Sequence, residues 1–501
     1  MFLAVVGTVV ATCWTLVMAM KAQRMVQVDA AWTNQMKETN ENVQSNVTRS
    51  VEREQEDEGY PGVEKEVRSN ESNEASIRLE KPNLDWESWE HHPQLSNTSQ
   101  QNDTLRWKSE GKATMEVEGQ KQEEEFQNKS IPRLGYIIMS SQGRLHGLVS
   151  LLTAIYHPSN AYAVHIDSKT PEKEDEILER EVKTKTPANV IWLRSAAVTW
   201  GGVSMLLVTL RGLATLRKEL GDHWDFYINL SASDMPLLPQ ESIAHALAEM
   251  PAKASFMSGA PYVEPDQGSD IHRSTRIVVD TSLSLGKDLK YTLEWPEGNR
   301  EEPTIFVPYK GEGWFLLSRE LAALATDSAA YWPTLLLSYF TNWFASDESY
   351  MQTLACTDSG RDASTAFSDH FRHILWSGAS RGHPDILRGP KALEAAFSSG
   401  AFFARKFTGD GIERRALIHH MPNSAGQVKL QDDPGYQDIY AVYKKFSQVF
   451  FKNLATKLNK SVIELETQVD NMLHFIEEMQ PIQKAALSSR IKHASDHTMC
   501  V

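Results

Sequence analysis

The chain is poor in cysteine, with three in 501 residues. That excludes a disulfide scaffold. Because Cys13 falls in an apolar N-terminal run, only Cys356 and Cys500 remain for an intrachain bridge. A basic surplus is also missing: the formal charge is −15, which argues against a nucleic-acid partner. Much of the acid precedes residue 130, so the remainder is closer to neutral and can still hold a basic pocket for an anion. No glycine-rich phosphate loop occurs. The WGG turn at 200–202 is too short to count as one, although it can aim a helix N-terminus at phosphate or simply bury Trp200. There is no Asp-x-Asp pair to hold a divalent cation on a diphosphate, so a bound diphosphate has to be met by side-chain cations. His370, His373, His383, His419 and His420 lack a tight ligand spacing, and no metal is assigned.

Long apolar runs are equally scarce, with one exception. Phe2–Met20 carries no charge and is long enough to cross a bilayer as a helix, which predicts a signal anchor over 1–24. A cleaved signal peptide is the alternative, given Ala19 and Ala22 near its end. Lys21 and Arg24 follow the run and no cation precedes it, so charge leaves the topology open. From 25 to 130 the chain is polar and aperiodic and cannot bury enough surface to offset its entropy, which predicts a disordered acidic stem. Asn46, Asn70, Asn97, Asn102 and Asn128 each begin a glycosylation sequon there and favour luminal exposure.

At Leu134 the pattern changes to short apolar runs alternating with amphipathic ones. Strands are expected at 135–139, 161–167, 189–193, 225–230 and 254–259, with helices at 145–156, 171–184, from 203, and at 239–250. Such alternation implies an α/β domain, a mostly parallel Rossmann-type sheet covered on both faces, here over 131–430. Ligands lie at the carboxyl ends of such strands. His165 and Asp167 end the second strand, where an acid can accept from a ribose hydroxyl or cap the next helix. Asp234, in NLSASDMPL after the fourth, can meet a sugar or make a tight turn. In SSGAFFARKF, Arg405 offers a planar fork and Lys406 a point charge for phosphate oxygens, the alternative being surface snorkelling. GEGWFLLSREL suggests a flexible loop that sets Trp314 against a sugar face, or a core tryptophan. In NWFASDESYMQTL the acids Asp347 and Glu348 lie among aromatic residues, where desolvation raises proton affinity towards that of a general base. Ser346 can instead cap a helix whose dipole favours acids in its first turn. Beyond 435 a four-three spacing through Phe451, Ala455, Leu458, Val462, Leu465, Val469, Met472, Ile476 and Met479 forms a heptad seam in the helical tail over 435–501. It suits a short coiled-coil homodimer or packing on the chain's own domain.

The ordered series YIIM, LLTAIYHPSNAYAVHID, WGG, DFYINLSASDMPL, GWFLLSREL, SDESYMQTL, HPDIL and SSGAFFARKF resembles glycosyltransferase family 14 over about 134–414. That family holds the branching N-acetylglucosaminyltransferases, the peptide O-xylosyltransferases and the plant glucuronosyltransferases. The resemblance implies a GT-A-like fold and inverting, metal-independent transfer of xylose, glucuronic acid or N-acetylglucosamine from a UDP-sugar to a glycan or glycoprotein hydroxyl. It also implies a Golgi membrane location. The family's catalytic base falls on Glu348, and its diphosphate-binding lysine on Lys406, beside Arg405. With them His165 and Asp167 are assigned to the donor, and Asp234, Trp314 and Trp376 to the acceptor. The charge order around the anchor and the low cysteine content depart from the animal members. A membrane-anchored glycan-binding protein without activity is the competing expectation. A glycoside hydrolase using Asp347 and Glu348 fails, because adjacent residues do not face each other across a substrate.

Overall fold

Buried, unbroken apolar runs fix the sheet. Strands β1 (Leu134–Ser140), β2 (Ala161–Ile166), β3 (Val190–Trp192) and β4 (Phe226–Ser231) lie parallel, with β1 paired to both β2 and β4. Side chains alternate across the layer: Tyr136 and Ile138 enter one apolar cluster, Ile137 the other. The computed structural model describes residues 131–219, 221, 224–251, 253–263, 273–283, 292–363, 365–376, 383–408, 411–421, 430–494 and 496–500. The apolar run Phe2–Met20, the stem and its sequons lie outside the described residues. Among the described residues no helix is long and apolar enough to cross a membrane.

After β4 come β5 (Asp234–Pro236), β6 (Ala254–Met257), β7 (Ala260–Pro261), β8 (Val279–Asp280), β9 (Leu293–Glu294), β10 (Tyr309–Lys310), β11 (Phe315–Ser318), β12 (Thr365–Phe367), β13 (Arg372–Ile374) and β14 (Phe403–Arg405). The main sheet has seven strands in the order β12-β6-β11-β4-β1-β2-β3. Strand β11 runs antiparallel between β4 and β6, so the segment expected as a flexible loop after Trp314 is a buried inner strand. A second sheet, β13-β14-β5, sets Arg405 opposite Asp234.

Helices cover both faces, as the alternation predicts. In chain order they are α1 (Leu145–Ile155), α2 (Glu172–Ile177), α3 (Val203–Glu219), α4 (Gln240–Ala248), α5 (Arg319–Ala325), α6 (Tyr331–Phe340), α7 (Tyr350–Ala355), α8 (Asp358–Ala363), α9 (Gly389–Ser398), α10 (Ile412–His420), α11 (Pro434–Leu458) and α12 (Val462–Ala494). One apolar cluster joins α1, α4, α9, α10, α11 and α12 to the sheet, and the other joins α3, α5, α6 and α7.

The heptad seam is used within the chain, the second of its two expected uses. Helix α11 packs on α1, and α12 on α9 and α10. Phe451, Leu465, Val469, Met472, Ile476 and Met479 are all buried in that first cluster. The repeat is also broken: Asn459 takes a left-handed conformation (φ 53°) between the two helices, and the flanking Leu458 and Val462 are exposed. A seam of this period records only that one face is covered, and here the chain's own helices cover it. The C-terminal segment then returns to the sheet. Ser368 N–H donates to His497 O at 3.0 Å and Met499 N–H to Ala366 O at 2.8 Å, which closes the edge at β12. Cys500 is bonded to Cys356 at the end of α7.

Candidate active site

The acid motif sits in a turn rather than a helix. Helix α6 ends at Phe340, Ala345 is left-handed (φ 54°), and Ser346–Glu348 form a single 3-10 turn before α7. The expectation of Ser346 as a helix cap fails, because α7 starts four residues later and the Ser346 hydroxyl is buried without a hydrogen-bond partner. The turn is tied down from two sides. Ala345 N–H donates to Gly201 O at 2.7 Å, and Gly311 N–H donates to Glu348 O at 2.9 Å.

The two carboxylates have opposite surroundings. Glu348 Oε2 accepts from Arg273 Nη1 at 2.9 Å, with Lys310 Nζ at 3.9 Å, and its side chain is 30% exposed. Asp347 is turned inward with Oδ1 buried and unbonded. Burial, and then the charge of Glu348, push its pKa from 3.8 up to about 7. Desolvation therefore acts on Asp347, whereas Glu348 is held as an accessible, ion-paired carboxylate.

That difference has a measurable consequence. The unfolded chain releases the Asp347 proton near 3.8 and the folded chain near 7, so between these values the folded state binds more protons. Stability is lost as pH rises through this window, and the loss is complete above it. Asp347→Asn is expected to be more stable than the parent by roughly 1–3 kcal/mol at about pH 8, with no difference below about pH 4. Melting temperatures across that range check it.

The segment Gly311–Trp314 joins the acids to a group of buried cations. A methyl group at Gly313 would stand 2.7 Å from Asp347 Oδ2, so only glycine lets the loop pass this close. Asn229 Nδ2 holds Gly313 O at 2.6 Å, and Gln352 Nε2, from α7, holds Glu312 O at 2.8 Å. The Trp314 ring then lies beneath two guanidiniums, Arg405 at 3.9 Å and Arg372 at 4.8 Å from its centroid. The Arg405 group lies over the ring, so Trp314, expected as a sugar platform, serves as a floor for cations.

Arg405 is 8% exposed and Arg372 3%, and on each the Nε and one terminal nitrogen have no hydrogen-bond partner. Arg372 also donates through Nη2 to Asn229 O. Burial lowers its pKa to about 10 despite nearby Asp234, with Arg405 contributing to the fall. Lys406 is half-buried, and burial followed by the Arg405 charge lowers its proton affinity. Unmet N–H groups on buried cations leave a site able to take an oxyanion.

Asp234, expected at the acceptor, is fully buried. It accepts from Ser231 N–H at 2.8 Å and Ser231 Oγ at 3.1 Å and lies 3.6 Å from Arg405 Nε, so it positions that guanidinium. His165 and Asp167 are buried at the end of β2. His165 Nε2 accepts from Ala196 N–H at 3.2 Å, and burial lowers its pKa to about 4. Asp167 bonds Lys169 through both backbone (2.9 Å) and ammonium (2.7 Å) in a local turn; it does not cap α2, whose N-cap is Pro171 without a side-chain bond. Trp376 is 53% exposed.

Trp200 is 59% exposed and not buried inside its turn. The N-terminus of α3 does not await phosphate either, because Asp280 Oδ2 accepts Ser204 N–H at 2.9 Å. Burial raises the proton affinity of Asp280, but bonds from Ser204 and Ser282 outweigh it and hold its pKa below the usual range. Glu174 likewise takes the backbone N–H groups of Gly143 (2.9 Å) and Leu145 (3.1 Å) at the start of α1. These two helix starts are already capped by carboxylates, whereas the buried guanidiniums keep donors without a hydrogen-bond partner.

Arg372 and Arg273 were not singled out in the sequence. Arg372 stands in SDHFRHIL without a motif of its own, and only the pairing of β13 with β14 brings it to Arg405. Beside them His370 Nε2 lies 2.7 Å from Glu312 Oε2. Burial raises the proton affinity of Glu312, but His370, Arg372 and Arg405 outweigh it and hold its pKa low. Among the described residues no three His, Cys, Asp or Glu converge as a metal site.

Comparison with known proteins bears on the family of the chain. The chain is 33% identical over 284 residues to the beta-glucuronosyltransferase GlcAT14B of Arabidopsis thaliana, covering 56% of this chain and 63% of that protein. It is 32% identical to GlcAT14A of the same plant, covering 56% and 62%. It is 25% identical over 352 residues to a xylosyltransferase of Ciona intestinalis, covering 66% of this chain and 38% of that protein. The match thus spans less than two thirds of these relatives' own length. The family model described as Core-2/I-branching enzyme matches residues 134–398, more than half of the chain, and takes in the sheet, Glu348 and Arg372. The chain belongs to the Core-2/I-branching enzyme family, glycosyltransferase family 14.

Proposed function

We propose that this protein transfers a sugar, glucuronic acid, xylose or N-acetylglucosamine, from a UDP-sugar to a hydroxyl of a glycan or glycoprotein, with inversion and without a metal. The observation that carries the reading is the loop Gly311–Trp314. It fixes an accessible carboxylate, Glu348, and two buried guanidiniums with unmet donors against one another. In this reading Glu348 takes the proton of the acceptor hydroxyl as that oxygen attacks the anomeric carbon. Arg273 and Lys310 hold Glu348 through Oε2, and in this reading Oε1 meets the hydroxyl. Arg405, Arg372 and Lys406 stabilise the charge that builds on the departing diphosphate, the task a divalent cation performs elsewhere. The relatives' names, glucuronosyl- and xylosyltransferase, support a sugar-nucleotide donor. The Cys356–Cys500 bridge and the five stem sequons support an oxidising Golgi lumen, with Phe2–Met20 as the anchor.

UDP release from UDP-glucuronic acid, UDP-xylose and UDP-N-acetylglucosamine, with and without chelator, tests the reading. Release that needs an added divalent cation, or none from any donor, rejects it. Arg405→Met is expected to weaken UDP binding by about ten- to hundredfold by calorimetry, since a charge-assisted fork contributes roughly 1.5–3 kcal/mol. Arg405→Lys keeps the charge and loses the fork, so it should recover part of that affinity.

A further inference from the structure

We propose that Trp200 is the platform on which a sugar unit of the acceptor chain stacks, an inference that rests on the glycosyl transfer proposed above. Three observations carry it. First, the ring is open although firmly held. Trp200 is 59% exposed, and its aromatic neighbours Phe344 (5.6 Å, 75°) and His383 (5.9 Å, 61°) are both steeply inclined, so neither stacks on it. Second, the turn beneath is rigid. Gly201 has φ +77° and lies directly against Phe344, its carbonyl takes Ala345 N–H at 2.7 Å, and Gly202 N–H donates to Thr199 O at 3.0 Å. A large apolar ring fixed in solvent by a glycine turn forgoes burial and offers an open, preorganised face to a ligand.

Third, the ring is continuous with the base. Phe344 touches Trp200, the Arg273 guanidinium lies 5.0 Å from the Phe344 ring, and the same guanidinium bonds Glu348 at 2.9 Å. These contacts set Trp200 and Glu348 on one packed unit, and in the proposal a unit beyond the attacked one lies on Trp200. The chemistry fits a pyranose: its axial C–H bonds are polarised positive, and the face of an indole is negative. The ring that sequence suggested for this task, Trp314, is covered by Arg405.

The test measures binding and transfer separately on the full-length protein. Methyl glycosides and the matching tetrasaccharides of galactose, xylose and glucose serve as probes. In the absence of donor, the parent should bind at least one tetrasaccharide more tightly than its methyl glycoside. Trp200→Ala should weaken the tetrasaccharide by about tenfold and reduce the difference to nearly nothing, with Trp200→Phe restoring most of it. UDP released by water from the donor should change less than twofold. No length preference in the parent, or equal loss for both probe lengths in Trp200→Ala, overturns the inference. A parent that binds tetrasaccharides through Trp200 but turns over no UDP-sugar rejects the proposed transfer and leaves the platform standing.

Discussion

Glu348→Gln is expected to lower the transfer rate by about 10²–10⁴-fold while UDP affinity stays within twofold of the parent. The amide keeps the shape of the side chain and a carbonyl oxygen for Arg273, but cannot take a proton. UDP contacts are assigned to Arg405, Arg372 and Lys406 on the far side of the Gly311–Trp314 loop, so binding should not notice the change. Single-turnover rates beside calorimetry with UDP measure both halves. The geometry also defines the opposite result. Asp347 has a pKa near 7 because it is buried next to Glu348, and a pKa there is favourable for a base. However, its Oδ1 is sealed from solvent and its Oδ2 lies against Gly313, which leaves no approach for an acceptor. If Asp347→Asn abolished transfer and Glu348→Gln retained it, accessibility would have been the wrong criterion and the roles would be exchanged.

The same contrast shows what could be read from the residues and what could not. Strands β1, β2 and β4 were legible because each is an apolar run buried on both faces and bounded by helical patterns. Strand β11 was not: four residues following Gly-Glu-Gly-Trp read as a loop until β4 and β6 are seen to flank them. For the site, desolvation of an acid was legible from Trp343, Phe344 and Tyr350, but which of two adjacent acids it strikes depends on the direction each side chain takes from one 3-10 turn. Arg405 was legible because phenylalanines surround it in sequence. Arg372 carries equal charge and deeper burial, yet it meets Arg405 only through strand pairing across 33 positions, which no local pattern records. Trp314 and Trp200 were hard to read for a related reason: exposure of an aromatic ring is decided by what packs over it.

Loss of the Cys356–Cys500 bridge should be the largest effect on stability. The bond closes a separation of 144 residues, and the chain-entropy relation for a loop of that length gives about 5 kcal/mol, an upper figure because unfolded chains retain some structure. Cys356→Ser, Cys500→Ser, or the parent in reductant should therefore melt about 10 °C lower. The position of the bridge ties this loss to activity. Met499, next to Cys500, is buried; a methyl group at Gly259 would meet its sulfur at 2.5 Å and the Gln352 side chain at 3.0 Å, so all three lie packed together. Gln352 in turn holds Glu312 O, and so the loop between Glu348 and the guanidiniums. Freeing the strap loosens that support before it unfolds the sheet. Below the melting transition, transfer is thus expected to fall several-fold in the bridge variants while UDP affinity falls by less, because Asp234 and Trp314 still hold Arg405. An unchanged melting temperature in reductant would show that contacts other than the bridge hold the strap, and an unchanged transfer rate would detach Gln352 from the catalytic loop.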